Sequence, residues 1–112
     1  MVAKTAIPGK GEQVDEAFKA LASAQRREIL RILGEEDERS AKSCCGPNEV
    51  CACKIAERLG LAASTTSHHM TLLHRAGLVR ARKEGQWVYY SLHHEGLARI
   101  VDELRRFQRG DE

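Results

Sequence analysis

All of the cysteine in this chain, Cys44, Cys45, Cys51 and Cys53, lies within ten residues, directly ahead of a helix-turn-helix pattern. Thiols crowded in this way ask for a common cause, and the simplest is a shared ligand. The 43–53 segment therefore ties a soft-metal site to a DNA-reading element, and that joint constrains everything around it. A disulfide framework is disfavoured. The N-terminus, Met-Val-Ala-Lys-Thr-Ala-Ile-Pro-Gly-Lys-Gly, has no apolar secretory core, and no run approaches the roughly 18 apolar residues of a membrane span. The chain is accordingly expected in the cytoplasm, where clustered cysteines bind metal or react. A bond between the adjacent Cys44 and Cys45 would also strain the backbone.

With 112 residues the chain makes one domain. A domain of this size buries only about two-thirds of its unfolded surface, so a dimer partner would help it. Residues 1–12 read as an N-terminal tail, 13–108 as the domain with its thiol segment at 43–53, and 109–112 as a C-terminal tail. The net charge of +2 is uninformative, but its distribution is uneven. Residues 35–40 carry four acids against Arg39, whereas 62–91 carry Arg75, Arg80, Arg82 and Lys83 against Glu84 alone. The second region suits a phosphate-facing surface, with an ordinary solvated face as the alternative on charge alone.

Apolar periodicity places the helices. Val14, Phe18 and Leu21 form an i, i+4, i+7 stripe on a first helix. Ile29, Ile32 and Leu33 mark a second over about 24–33, which Gly34 and the acidic run after it should stop. Periodicity then lapses until a third helix through Ile55, Ala56 and Leu59 to Gly60, so Cys44 and Cys45 fall on a loop beside the turn residues Gly46, Pro47 and Asn48. A fourth helix follows Gly60. On it Thr66, Met70 and Leu73 share one face, and Ser64, Ser67, His68 and Thr71 the opposite, polar one. A helix, a tight turn and a helix with a polar N-terminal face make a helix-turn-helix, although an arbitrary αα-hairpin has the same pattern.

The next segment narrows that choice. Two β-rich runs flank 83–86, with basic residues leading to the tip and Gly85 at a turn position. This hairpin is a wing, which can contact DNA backbone beside a recognition helix. Trp87, Tyr89 and Tyr90 are expected to pack against helices rather than stack on bases. A last helix over about 95–108 aligns Leu97, Ile100, Val101, Leu104 and Phe107, as a core helix or as a dimer interface built with Val14, Phe18 and Leu21. The fold class is mainly α with a small β-hairpin, a winged helix-turn-helix in the order α-α-α-α-β-β-α, dimerising through its first and last helices.

The runs Leu-Ala-Ala-Ser-Thr-Thr-Ser-His-His-Met, Leu-His-Arg-Ala-Gly-Leu-Val and Gly-Gln-Trp-Val-Tyr-Tyr-Ser-Leu resemble the ArsR/SmtB family of winged-helix metal-sensing repressors, and Glu-Val-Cys-Ala-Cys resembles its thiol sensor box. The likeness spans about 14–107. It implies a homodimer that binds an inverted repeat in double-stranded operator DNA and lets go when metal binds. Carried over by position, it assigns metal binding to Cys51 and Cys53 and DNA reading to Ser64, Thr65, Ser67 and His68. Thr71, Arg80, Arg82 and Lys83 extend that surface. Lys54 departs from the acidic residue usual in the box, and the Cys44-Cys45 loop is absent from many relatives.

Residues i and i+2 of an α-helix point roughly 200° apart, so Cys51 and Cys53 are expected to grasp one ion only if the helix start is held non-helical. Its distortion would reach the recognition helix. Three thiolates neutralise trivalent arsenic, whereas four around cadmium, lead or zinc leave an excess of negative charge. Arsenite is the favoured effector, with antimonite as a mimic. A divalent sensor using all four cysteines and a redox or persulfide switch are the alternatives. Lys42, Lys54 and the helix N-terminus are expected to lower the thiol pKa values. His93 and His94 lack a later histidine for a zinc site, His69 reads as a hydrogen-bonded packing residue, and His74 as surface. No Cys-His-acid order or phosphate-binding glycine loop indicates an enzyme or an organic cofactor.

Overall fold

Ile29, Leu33, Ile55, Met70, Leu73 and Leu78 are wholly screened from solvent and meet in one core, with Ala17, Ala20, Val50, Ala76, Val79 and Ile100 around them. Each large side chain so buried stabilises the fold by roughly 1.5–3 kcal/mol. The computed structural model describes residues 10–39 and 49–110. Its elements are α1 (Lys10–Leu21), α2 (Ala24–Arg39), β1 (Val50–Cys51), α3 (Ala52–Leu59), α4 (Ala63–Arg75), β2 (Val79–Glu84), β3 (Trp87–Leu92) and α5 (His94–Arg109). Five helices thus surround an antiparallel sheet of order β1-β3-β2, the winged helix-turn-helix anticipated above with one strand more.

The α1–α2 corner is closed by polar side chains. Ser23 caps α2 through its Oγ, which accepts from the Arg26 N–H at 3.3 Å. Arg26 Nε donates to the Ala20 carbonyl at 2.8 Å and Arg27 to that of Leu21 at 2.6 Å, satisfying groups that the end of α1 leaves open. Contrary to expectation, α2 does not stop at Gly34 but runs on to Arg39. A glycine inside a helix costs about 1 kcal/mol. Here α2 packs against β3, and a Cβ at Gly34 would only touch Leu92 Cδ1 at an ordinary 3.9 Å, so tertiary packing carries the helix through a residue whose absent side chain no close contact requires.

Between α3 and α4, Gly60 adopts φ 68° and closes the turn: its N–H bonds the Glu57 carbonyl at 3.2 Å, and the Leu61 N–H bonds that of Ala56 at 3.2 Å. This paired closure of a helix end needs a left-handed residue, which glycine supplies without a Cβ penalty. On α4 the two faces separate as the periodicity requires, with Thr66, Met70 and Leu73 buried and Ser64, Thr65, Ser67, His68 and Thr71 exposed.

The wing pairs in register from Val79 with Leu92 to Glu84 with Trp87, so Lys83 and Glu84 belong to the strand and the turn is only Gly85-Gln86. Tyr90 packs against the core, and Trp87, half exposed, lines a cleft with Cys53 of α3 and Thr66 and Ser67 of α4. At the start of α5, Gly96 lies so close to Gly77 that a Cβ would stand 1.7 Å from the Gly77 carbonyl oxygen. The same oxygen accepts from His93 Nδ1 at 2.9 Å, which makes His93 a structural link rather than a solvated helix start.

A candidate thiol site beside a candidate nucleic-acid interface

Cys51 ends β1 and stands just ahead of α3, with φ −76° and ψ 153°. That extended backbone alters the geometry expected of an i, i+2 pair. Because only Cys53 lies in the helix, the two side chains converge instead of diverging, and their Sγ atoms are 2.9 Å apart. No unwinding is needed to bring them together. Cys51 is 7 % exposed yet lies outside the main core, while Cys53 is open to solvent. The Cys53 thiol titrates above its ordinary value, first because of its hydrogen bond with Cys51, then through burial and the charge of its neighbour. Backbone N–H groups at the helix start pull the other way and are outweighed, so the expected lowering is not found at Cys53. Cys44, Cys45 and Lys42 lie outside the described residues. Among the described residues no group of three or more His, Cys, Asp or Glu side chains is placed to hold a metal ion.

The exposed polar face of α4 opens beside this pair. A cleft of about 260 Å³ separates the start of α3, the first turns of α4 and the wing tip, bordered by Cys53, Thr66, Ser67, Gln86, Trp87 and Tyr90. Thr66 is buried, and its hydroxyl has no hydrogen-bond partner among the described residues. Thr71 Oγ1 donates back to the Ser67 carbonyl at 3.0 Å. His69, one residue beyond His68, is held inside the fold by Arg26 and Gln25 at 3.1 Å each, as its reading as a packing residue requires, while His74 is exposed.

On the wing Arg80, Arg82 and Lys83 are exposed, but Arg82 is not a loose cation. Its Nε and one terminal nitrogen donate to the two oxygens of Glu49 at 2.9 Å each, its other terminal nitrogen donates to Glu84 at 2.6 Å, and its carbon lies 4.7 Å from the Tyr89 ring centre. These carboxylates hold the guanidinium proton even more firmly than usual. Sequence reasoning missed Glu49 and Tyr89 because both meet Arg82 only through the sheet.

The apolar residues anticipated at a dimer interface divide. Ile100 is buried in the protomer's own core, and Val14, Phe18, Leu21 and Leu97 pack against it. Val101, Leu104 and Phe107, by contrast, are 43 %, 49 % and 62 % exposed along α5. No described helix is long and apolar enough to cross a membrane.

The family profile described as "Bacterial regulatory protein, arsR family" matches residues 23–81. A helix-turn-helix-type transcriptional regulator of Methanocaldococcus jannaschii is 36 % identical, over 85 % of this chain and 98 % of its own length. A homolog of the cadmium resistance regulatory protein CadC from Staphylococcus aureus is 34 % identical over 86 % and 70 %, and that organism's arsenical resistance operon repressor 33 % over 83 % and 78 %. Among solved structures, an ArsR-like transcriptional regulator from Rhodococcus superposes with a TM-score of 0.69 at 25 % identity, covering 92 % of this chain and 86 % of that one. A homodimeric winged helix-turn-helix DNA-binding domain from Mycobacterium bovis superposes at 0.62 and 31 % identity, over 88 % and 80 %. With the profile, the relatives and the fold in agreement, this chain belongs to the ArsR family of bacterial transcriptional regulators.

Proposed function

We propose that this chain is a cytoplasmic, homodimeric repressor that holds an inverted-repeat operator and releases it when arsenite, or its mimic antimonite, binds Cys51, Cys53 and one thiol of the Cys44-Cys45 loop. The observation that carries this reading is the 2.9 Å approach of the Cys51 and Cys53 sulfurs at the start of the helix that precedes the recognition helix. Arsenous acid exchanges its three hydroxyls for three thiols and releases three waters, leaving a neutral complex. Ser64, Thr65, Ser67, His68 and Thr71 read DNA from α4, and Arg80, Arg82 and Lys83 approach phosphate from the wing. Val101, Leu104 and Phe107, with α1 of the partner, form the dimer seam. The domain spans 13–108.

Chelation itself supplies the signal. Cys51 and Cys53 would hold the ion through both sulfurs, and two sulfurs sharing one ion would stand farther apart than the 2.9 Å now between them, so the pair would open around it. That opening shifts the first turn of α3 against β1, and α3 packs on α4. A hundredfold loss of operator affinity needs a coupling of only about 2.7 kcal/mol. The cadmium-resistance relative favours a second reading, a divalent soft-metal sensor using all four cysteines.

Titrating the operator complex with arsenite, antimonite, cadmium, lead and zinc separates the two readings. Cys51→Ser and Cys53→Ser should each bind operator normally and fail to release with arsenite. If three thiols suffice, one of Cys44→Ser and Cys45→Ser is as severe and the other milder. Equal loss in all four variants, with cadmium the stronger releaser, replaces arsenite by a four-sulfur divalent ion.

A further inference from the structure

The thiol pair and the wing share more than proximity. In the sheet, Cys51 of β1 is the cross-strand partner of Tyr89, and Tyr89 is in turn the partner of Arg82 on β2. Directly paired residues present their side chains to the same face of a sheet, and so do residues two apart on one strand. Cys51, Tyr89, Arg82 and Glu84 therefore lie in a row on one face. Glu49, two residues before Cys51, completes the row by gripping Arg82 with both carboxylate oxygens. A residue beside the sensor thiol thus holds a cation expected to meet DNA phosphate.

The charges make this grip consequential. Two carboxylates, Glu49 and Glu84, surround one guanidinium, so that part of the wing offers an approaching phosphate no excess positive charge. For Arg82 to bind phosphate it must exchange a carboxylate for it. Exposed ion pairs are individually weak, whereas a bidentate geometry within a network strengthens them, so the exchange is close to balanced and a modest bias decides it. Glu49 is the carboxylate whose position depends on β1, the strand that a ligand on Cys51 would move.

We propose that Glu49 is a positioning residue through which the thiol site controls the wing: it withholds Arg82 from DNA phosphate, the operator competes for that cation, and a ligand on Cys51 tightens Glu49's hold. The second half rests on the function proposed above; the first does not. It follows that Arg82 and Glu49 are coupled in DNA binding even with no effector present.

The test is a double-mutant cycle of Glu49→Gln and Arg82→Ala on operator affinity, measured across salt concentrations and then with arsenite. Arg82 is exposed and Glu49 partly buried, its side chain 17 % exposed, so matching thermal unfolding midpoints are needed to check that the variants fold. Without effector, Glu49→Gln should bind operator about threefold to tenfold more tightly, with its salt slope steepened by about 0.9, the release expected for one further phosphate contact. In the Arg82→Ala background the same change should give no gain. Arsenite should release Glu49→Gln by a smaller factor than the wild type. An unchanged or weakened affinity for Glu49→Gln overturns the clamp, and so does an equal gain with and without Arg82, which would mark a general charge effect. Equal arsenite release from the wild type and Glu49→Gln overturns the link to the thiols. A wild type that arsenite does not release, with the affinity cycle still coupled, removes the effector reading and leaves the clamp standing.

Discussion

Arg26 and His69, 43 residues apart, are joined by a 3.1 Å hydrogen bond that settles the state of the imidazole. A guanidinium can only donate, so Nδ1 accepts and Nε2 carries the proton toward Gln25 Oε1, also at 3.1 Å. His69 is therefore neutral in the fold, with its pKa lowered first by burial and then by the charges of Arg26 and His68.

The first prediction follows from that shift. An unfolded histidine takes up a proton near pH 6.5, while the folded His69 resists it, so the unfolded state binds more protons and stability falls as pH drops below about 6.5. The fall ends once pH has passed His69's lowered folded value. Urea unfolding of the wild type at pH 7.5 and 5.5 should show this loss, and His69→Gln should show a smaller one. Identical losses would mean that another group sets the acid sensitivity.

Gly96→Ala should destabilise the protein by about 1–3 kcal/mol, the usual cost of overpacking. Its new methyl would collide with the Gly77 carbonyl, a backbone atom that cannot swing aside. Denaturant midpoints measure the effect, and an unchanged midpoint would show that α5 lifts away freely.

DNA binding should separate two kinds of residue. Ser64→Ala and His68→Ala, on the exposed face of α4, should weaken specific operator binding by about 1–3 kcal/mol while sparing random duplex. Arg80→Ala and Lys83→Ala should weaken binding to every sequence and lower the salt slope by about one. Equal losses for His68→Ala on both duplexes would reassign it to the phosphate backbone.

Phe107→Lys or Leu104→Lys should shift the protein toward monomer in light scattering and lower operator affinity, because these side chains are 62 % and 49 % exposed and contribute little to the protomer's own core. A dimer unaffected by either change would place the seam elsewhere.

Wherever burial repeats with a helical period, the sequence was readable. Thr66, Met70 and Leu73 face inward as their spacing requires, and Ser64, Ser67 and His68 face outward. Reading failed where a contact far along the chain decides the local form. Val50 and Cys51 become a strand only because Tyr90 and Tyr89 pair with them, and two residues carry no periodicity of their own. Cys51, taken as helical, was for that reason expected to diverge from Cys53. Arg82 read as a free cation because its bidentate partner lies 33 residues away. Gly34 read as a stop because the packing of α2 against β3, which carries the helix past it, comes from residues far along the chain.

Cys51 occupies the cap position of α3 without making a side-chain cap bond. A serine oxygen there would offer this helix the cap it lacks, worth about 1 kcal/mol over an uncapped residue, set against the cost of burying a hydroxyl at a position only 7 % exposed. Position 51 therefore sets helix capping against the thiol that the proposed function requires there. For the sensor proposed above, a serine at position 51 would keep the helix start and lose the response, so selection on stability alone would not retain the cysteine.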